Sequence, residues 1–184
     1  MLMNRTLSIF WPKENSFLNQ ALLVFAGVIV LAFASQLSIP LQPVPLTFQS
    51  ATVVLIGMVY GARYGTYTIA AYLIAGACGL PVFINYSATL SHFLSPTGGY
   101  LLGFLPAAFV SGYLAQKGWA TTVLRSFITA CIGTSIIFLS GLTVLSFFMG
   151  WDKAIAVGLL PFLLSEPIKL MAASLLIPRC WKKC

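Results

Sequence analysis

The run Leu159-Leu160-Pro161-Phe162-Leu163-Leu164-Ser165-Glu166-Pro167-Ile168-Lys169-Leu170-Met171-Ala172-Ala173 is apolar but for one serine and two opposite charges. Whether it lies in water or in lipid decides the fold. An acid or a base at the middle of a membrane span costs about 2.5–3.5 kcal/mol, so a pair kept there needs something to offset it. A three-residue separation puts Glu166 and Lys169 on one helix face, close enough to pair or to grip one ligand together.

Composition settles the surroundings. The chain has 184 residues, of which 59% are hydrophobic and 7% charged, with a mean hydropathy of +0.96. A soluble domain carries roughly 25% charged residues, so this chain lacks the polar surface to stand in water. A disordered chain is excluded by the same numbers, being poor in apolar residues and rich in charge. A spanning helix needs about 20 residues, which predicts an all-α integral membrane protein of six transmembrane helices in one domain covering 1–184. Within it, 1–16 reads as an N-terminal segment, 17–180 as the six-helix bundle and 181–184 as a tail.

Apolar runs and breakers place the spans at about 17–38, 48–62, 65–80, 99–116 and 123–149. A short amphipathic piece then starts at Asp152, and a last helix covers about 165–180. The last helix is expected to start at the charged pair, with Ser165 as its N-cap, Glu166 in the first turn and Pro167 just inside. The first span is too long, and too weakly followed by a cleavage site, for a signal peptide.

The net charge of +7 gains meaning from its distribution. Arg5, Lys13, Arg63, Lys117, Arg125, Arg179, Lys182 and Lys183 fall on one side of the predicted topology, Lys153 on the other, and Lys169 in the membrane. That asymmetry puts both termini in the cytoplasm. No contiguous basic patch exists, so nucleic acid is not an expected partner. Cys78, Cys131, Cys180 and Cys184 form no disulfide framework, and one histidine with these thiols makes no metal site.

Two connections on the outer face, about 38–49 and 81–100, lack Asp, Glu, Lys and Arg but are rich in Pro, aromatic, hydroxyl and amide side chains. Pro40, Pro43 and Pro45 stiffen the first. Such irregular backbone is tolerated at membrane depth where it lines a cavity, so both are expected to cap a ligand pocket above Glu166 and Lys169. In Ser95-Pro96-Thr97-Gly98-Gly99-Tyr100, Thr97 can cap a helix and the glycines let backbone N–H groups approach a ligand; a plain turn accounts for the motif equally well. Gly57, Gly61 and Gly65, and Ala71, Ala75 and Gly79, recur at four-residue spacing and read as close helix packing. No Gly-Lys-Ser/Thr phosphate loop, Gly-x-Ser-x-Gly elbow or His-Glu-x-x-His pair is present, and lone His92 has no base-orienting carboxylate assigned to it.

The motifs Ile39-Pro40-Leu41-x-Pro43-Val44-Pro45-Leu46-Thr47-Phe48-Gln49, Gly61-Ala62-Arg63-x-Gly65, Gly79-Leu80-Pro81-Val82-Phe83, Pro96-Thr97-Gly98-Gly99-Tyr100 and Glu166-x-x-Lys169 occur in order along nearly the whole chain. Together they resemble the BioY family, the biotin-binding S components of energy-coupling-factor (ECF) transporters. The resemblance implies a bundle in the bacterial cytoplasmic membrane that binds biotin from outside under the first outer loop. It implies no cofactor, and as partners a membrane coupling protein and ABC-type ATPases. With biotin as ligand, its chemistry leads us to expect that Glu166 accepts from the ureido N–H groups and Lys169 donates to the carbonyl, helped by Asn85. Phe48, Tyr86 and Tyr100 would then cover the ring, and Thr47, Gln49 or the Thr97, Gly98 and Gly99 backbone would hold the tail. The reverse orientation, with Lys169 on the carboxylate, uses the same residues. The sequence departs from the family pattern twice: Glu166 stands where Asp is usual, and Ala26, Val30 and Ala34 give only part of the usual Ala-x-x-x-Ala of the first helix. Three other readings remain: an S component for another small vitamin, an intramembrane enzyme with Glu166 as base and Lys169 as stabiliser, and a self-sufficient facilitator that takes up biotin without coupling protein or ATPases. Turnover of labelled ligand separates the enzyme from the binders.

Overall fold

The computed structural model describes residues 17–181. The predicted N-terminal segment 1–16 and residues 182–184 of the tail lie outside them. The chain folds almost entirely into helices. These are α1 (Phe17–Gln36), α2 (Gln49–Ala77), α3 (Gly98–Leu114), α4 (Val123–Met149), α5 (Trp151–Gly158) and α6 (Phe162–Trp181).

α2 contains two of the predicted spans. Gly61 sits at φ +79°, ψ 172°, a conformation that breaks the helix and that glycine alone adopts without strain. The two arms on either side fold back on each other. The Gln49 amide nitrogen lies 2.7 Å from the Tyr72 hydroxyl, and a Cβ on Gly65 would stand 2.9 Å from the Gly57 Cα. The first arm, from Gln49 to Tyr60, is about 18 Å long at 1.5 Å per residue, shorter than a hydrocarbon core of about 30 Å. Counting each arm as a pass, and α5 with α6 as one, the described chain makes the six helical passes that the sequence predicts. Three helices are long and apolar enough to cross a membrane by themselves, Phe17–Gln36, Gly98–Trp119 and Val123–Met149, and α5 with α6 joins them as a fourth, bent by 44°.

Small residues set the packing distances. A Cβ on Gly57 would meet the Ala108 carbonyl oxygen and the Ser111 hydroxyl at 2.5 Å, and one on Gly112 would meet the Ala62 nitrogen at 2.5 Å. α2 and α3 are therefore in backbone contact, the arrangement that small residues permit in lipid. Gly79 differs: at φ +99° with open space around it, it turns the chain rather than packing it. Leu31, Met58, Ile69, Tyr72, Ile137, Leu145 and Ile177 fill the centre.

Three local expectations change. α6 begins at Phe162, so Glu166 lies in its second turn, and the Ser165 hydroxyl donates to the Phe162 carbonyl instead of capping the helix. Thr97 occupies the N-cap position of α3, but its side chain makes no capping bond and contacts Ser95 Oγ at 2.9 Å. The connection between α1 and α2 is a small antiparallel hairpin, β1 (Ser38–Ile39) with β2 (Leu46–Thr47), in the register Ser38 to Thr47 and Ile39 to Leu46. The second contains two 3-10 turns, Ile84–Tyr86 and Leu90–Leu94.

Candidate functional site

The hairpin and the second connection meet over a cavity of about 340 Å³. Pro43, Val44, Pro45 and Thr47 of the hairpin form one side, and Gln49 and Ser50 of α2 continue it. Phe83, Ile84, His92, Ser95, Pro96 and Thr97 of the second connection face them. Tyr100, Leu101 and Phe104 of α3, Ile137 and Phe138 of α4, and Phe162 of α6 complete the walls. This is an apolar chamber with a few polar groups among its walls, the usual composition of a small-molecule site.

The connection is held in place from α1 and α2. Ser35 Oγ donates to the Val82 carbonyl at 2.8 Å, as does the Tyr72 hydroxyl at 3.0 Å. The Gln36 amide donates to the Phe83 carbonyl at 2.9 Å and accepts from the Tyr86 N–H at 3.1 Å. Phe83 stacks edge-on with Tyr72, His92 and Phe93 at centroid distances of 5.5, 5.6 and 6.1 Å. Gly76 makes room for that ring, since a Cβ there would lie 2.1 Å from its edge. At the other end of the cavity, the Tyr100 hydroxyl donates to the Gly158 carbonyl at 3.1 Å and ties α3 to α5.

Glu166 and Lys169 form an ion pair one turn apart on α6, exposed by only 5% and 8%. The pair also reaches across to the start of α2 and the end of the hairpin. The Ser50 hydroxyl donates to both Glu166 carboxylate oxygens, at 3.0 and 3.1 Å, and Lys169 Nζ donates to the Thr47 carbonyl at 2.7 Å. The same ammonium lies 5.7 Å from the Phe48 ring centroid, within range of a cation–π attraction. With these partners the two charges are satisfied without water, as a buried pair requires. Ser50 and Thr47 are walls of this cavity; Glu166 and Lys169 are not, but hold those walls by hydrogen bonds, and Glu166 lines a second cavity.

Of the candidate residues read from the sequence, Thr47, Gln49, Thr97 and Tyr100 line the cavity. Phe48 is half exposed and lies over Lys169. Asn85 is exposed beside the wall residue Ile84, and the neighbouring Tyr86 is 73% exposed. Gly98 and Gly99 serve packing: a Cβ on Gly98 would strike the Phe93 carbonyl at 2.1 Å, and one on Gly99 the Ser140 carbonyl at 2.5 Å. Sequence reasoning missed Ser50, Phe83, Phe104, Phe138 and Phe162. Ser50 had a legible signal, a hydroxyl next to Gln49 in an apolar run, whereas the phenylalanines look like any core residue. Among the described residues no cluster of three His, Cys, Asp or Glu side chains could hold a metal.

A second cavity of about 320 Å³ lies between α4 and α6. Phe138 and Phe162 belong to the walls of both cavities, and their rings meet edge to face at 5.3 Å as a partition.

Comparison with known proteins gives this arrangement its context. The family model described as the BioY family matches residues 4–184. The chain belongs to the BioY family. Within it, the Biotin transporter BioY of Thermotoga maritima is 41% identical over 160 residues, covering 86% of this chain and 92% of the relative. The Probable biotin transporter BioY of Pyrococcus horikoshii is 36% identical over 157 residues, covering 85% and 93%. A solved structure, the S-component for biotin from an ECF-type ABC transporter, superposes with a TM-score of 0.83 over 94% of this chain and 95% of that one, at 23% identity. At that identity the superposition establishes a shared fold, which for this BioY member is the helical bundle described above.

Proposed function

We propose that this BioY member binds biotin in the 340 Å³ cavity and carries it into the cell as the substrate-specific subunit of an ECF-type transporter. The observation that carries the proposal is the cavity itself, lined by the Pro-rich hairpin, largely apolar, and polar where Thr47, Gln49 and Ser50 on one side face Thr97 on the other. Its size is near the lower end of the range of about 300–1,000 Å³ usual for small-molecule sites, which suits a compact two-ring ligand with a short tail. A cyclic urea finds polar partners at the 47–50 wall, and the thioether ring and aliphatic tail find Tyr100, Phe104 and Phe138. Glu166 and Lys169 fix the position and polarity of that wall through Ser50 and Thr47. Asn85, Tyr86 and Phe48 are exposed and lie close in sequence to the wall residues Ile84, Thr47 and Gln49, and their contact with ligand is part of the proposal.

The chain carries no phosphate-binding loop, so energy must come from other subunits, a membrane coupling protein and ABC-type ATPases. The cation asymmetry supports a bacterial cytoplasmic membrane location with both termini and the basic connections inside and the capped cavity outside. The test is direct. Purified from cells grown with biotin, the protein retains biotin detectable by mass spectrometry, and the emptied protein binds it again stoichiometrically in calorimetry. Uptake in cells lacking coupling protein and ATPases, compared with cells that have them, reads the partner requirement. A purified protein that neither retains nor rebinds biotin refutes the proposal.

A further inference from the structure

Ser50 connects the cavity to the buried ion pair, and the hydrogen-bond geometry fixes what it can offer a ligand. An ionised carboxylate accepts and never donates, and Glu166 is the carboxylate partner of Lys169 in the ion pair. The Ser50 proton is therefore committed to Glu166, shared between its two oxygens at 3.0 and 3.1 Å. What remains on Ser50 is lone pairs, and Ser50 is a cavity wall. Toward the cavity it acts only as an acceptor.

The same proton accounting holds for its neighbours. The Tyr72 hydroxyl donates to the Val82 carbonyl at 3.0 Å, so it accepts from the Gln49 amide nitrogen at 2.7 Å. That bond fixes the orientation of the amide and leaves its oxygen and its second N–H uncommitted. The Ser95 hydroxyl donates to the His92 carbonyl at 2.7 Å, so its 2.9 Å contact with Thr97 consumes the Thr97 proton. Ser50 and Thr97 thus have their protons committed within the protein and lone pairs left for the ligand, while Gln49 commits one of its two N–H groups to Tyr72.

We propose that Ser50 is a specificity-determining acceptor that takes one N–H of the ligand's cyclic urea, its polarity set by Glu166. The inference rests on the biotin reading above and goes further, by assigning a residue and a hydrogen-bond direction. A hydroxyl whose proton is held by a carboxylate is a stronger acceptor than a free one. A ligand that keeps the ring but lacks that N–H leaves a buried acceptor unmatched and discriminates against itself by about 10- to 100-fold.

The experiment is calorimetric titration of the detergent-solubilised protein with biotin and with the two derivatives in which each ureido nitrogen is methylated in turn. In the wild-type protein one of the two methylated derivatives is expected to bind at least about tenfold more weakly than biotin. In Ser50→Ala biotin itself weakens by about tenfold, and the preference for biotin over that derivative collapses to within a few-fold. Ser50→Thr keeps the hydroxyl and restores both. Glu166→Gln replaces the carboxylate that holds the Ser50 proton with a neutral, weaker acceptor and reduces the preference while Ser50 is still present. Because the decisive quantity is a ratio of two ligands on the same protein, a reduced folded fraction does not mimic it. A preference that is unchanged in Ser50→Ala overturns the inference while leaving the biotin reading standing. Failure of the wild-type protein to bind biotin overturns the biotin reading itself.

Discussion

Replacing Lys169 with methionine keeps most of the side-chain volume and removes one charge, and the structure gives the consequence. Lys169 Nζ bonds the Glu166 carboxylate and the Thr47 carbonyl, and both side chains of the ion pair are 6% exposed. Removing one partner of a buried pair strands the other charge, at a cost of about 3–5 kcal/mol. The Thr47 carbonyl loses its donor as well, adding about 1 kcal/mol. The double variant Lys169→Met with Glu166→Gln strands no charge, and the new amide can still accept from Ser50. It loses only the pair's own hydrogen bonds, about 1–3 kcal/mol in all. The expected order of stability is therefore wild type, then double variant, then single variant, with the double about 2–3 kcal/mol above the single. Unfolding in detergent micelles without ligand, followed by denaturant or by heat, measures that order. A single variant within about 1 kcal/mol of wild type, or a double variant less stable than the single, refutes the reasoning. Either result would mean that the pair is not held in a water-free setting.

Gly57→Ala places a methyl group 2.5 Å from the Ala108 carbonyl and the Ser111 hydroxyl. Backbone must move, so a loss of about 1–3 kcal/mol is expected in the same unfolding assay. Phe138→Ala removes a ring from the partition and joins the two cavities. It is expected to cost about 3–5 kcal/mol in stability, and competition binding should show weaker biotin binding with relaxed selection against bulkier ligands. Gly76→Ala drives a methyl group into Phe83, 2.1 Å from its Cζ, and so displaces the connection over the cavity. Ligand affinity should fall in titration more than global stability does.

Much of the fold could be read because its boundaries are marked by local chemistry. α4 spans 123–149 as predicted because Thr122 accepts from the Arg125 N–H at its start and Gly150, at φ +80°, ends it. Four-residue spacing reads Gly61 with Gly57 and Gly65 as close packing; the structure makes it the break in α2, a backbone conformation that spacing does not encode. The start of α6 was misplaced because two prolines compete. Pro167 lies inside the helix and removes one N–H from the ladder, a loss that membrane helices tolerate, while Pro161 and Phe162 mark the true start. In the site, Thr47, Gln49, Thr97 and Tyr100 stood out because polar groups in apolar surroundings need a reason. Phe83, Phe138 and Phe162 did not, since whether a buried ring touches a ligand or another helix is decided by tertiary packing, which periodicity does not encode.

The position of Ser50 also accounts for the unusual acid at 166, where the family pattern usually has Asp. A carboxylate on α6 has two tasks here, to neutralise Lys169 one turn along its own helix and to reach a hydroxyl on α2. The extra methylene of Glu lengthens its reach by about one carbon–carbon bond, and both carboxylate oxygens fall within hydrogen-bonding distance of Ser50. Aspartate from the same backbone position would hold the Lys169 contact more easily than the Ser50 contact, because the first is local to the helix and the second crosses between helices. Glu166→Asp should therefore keep most of the stability of the ion pair while freeing the Ser50 proton. Biotin affinity should then fall by about tenfold with little change in unfolding. If stability falls and affinity holds, the longer acid serves the bundle and not the ligand wall.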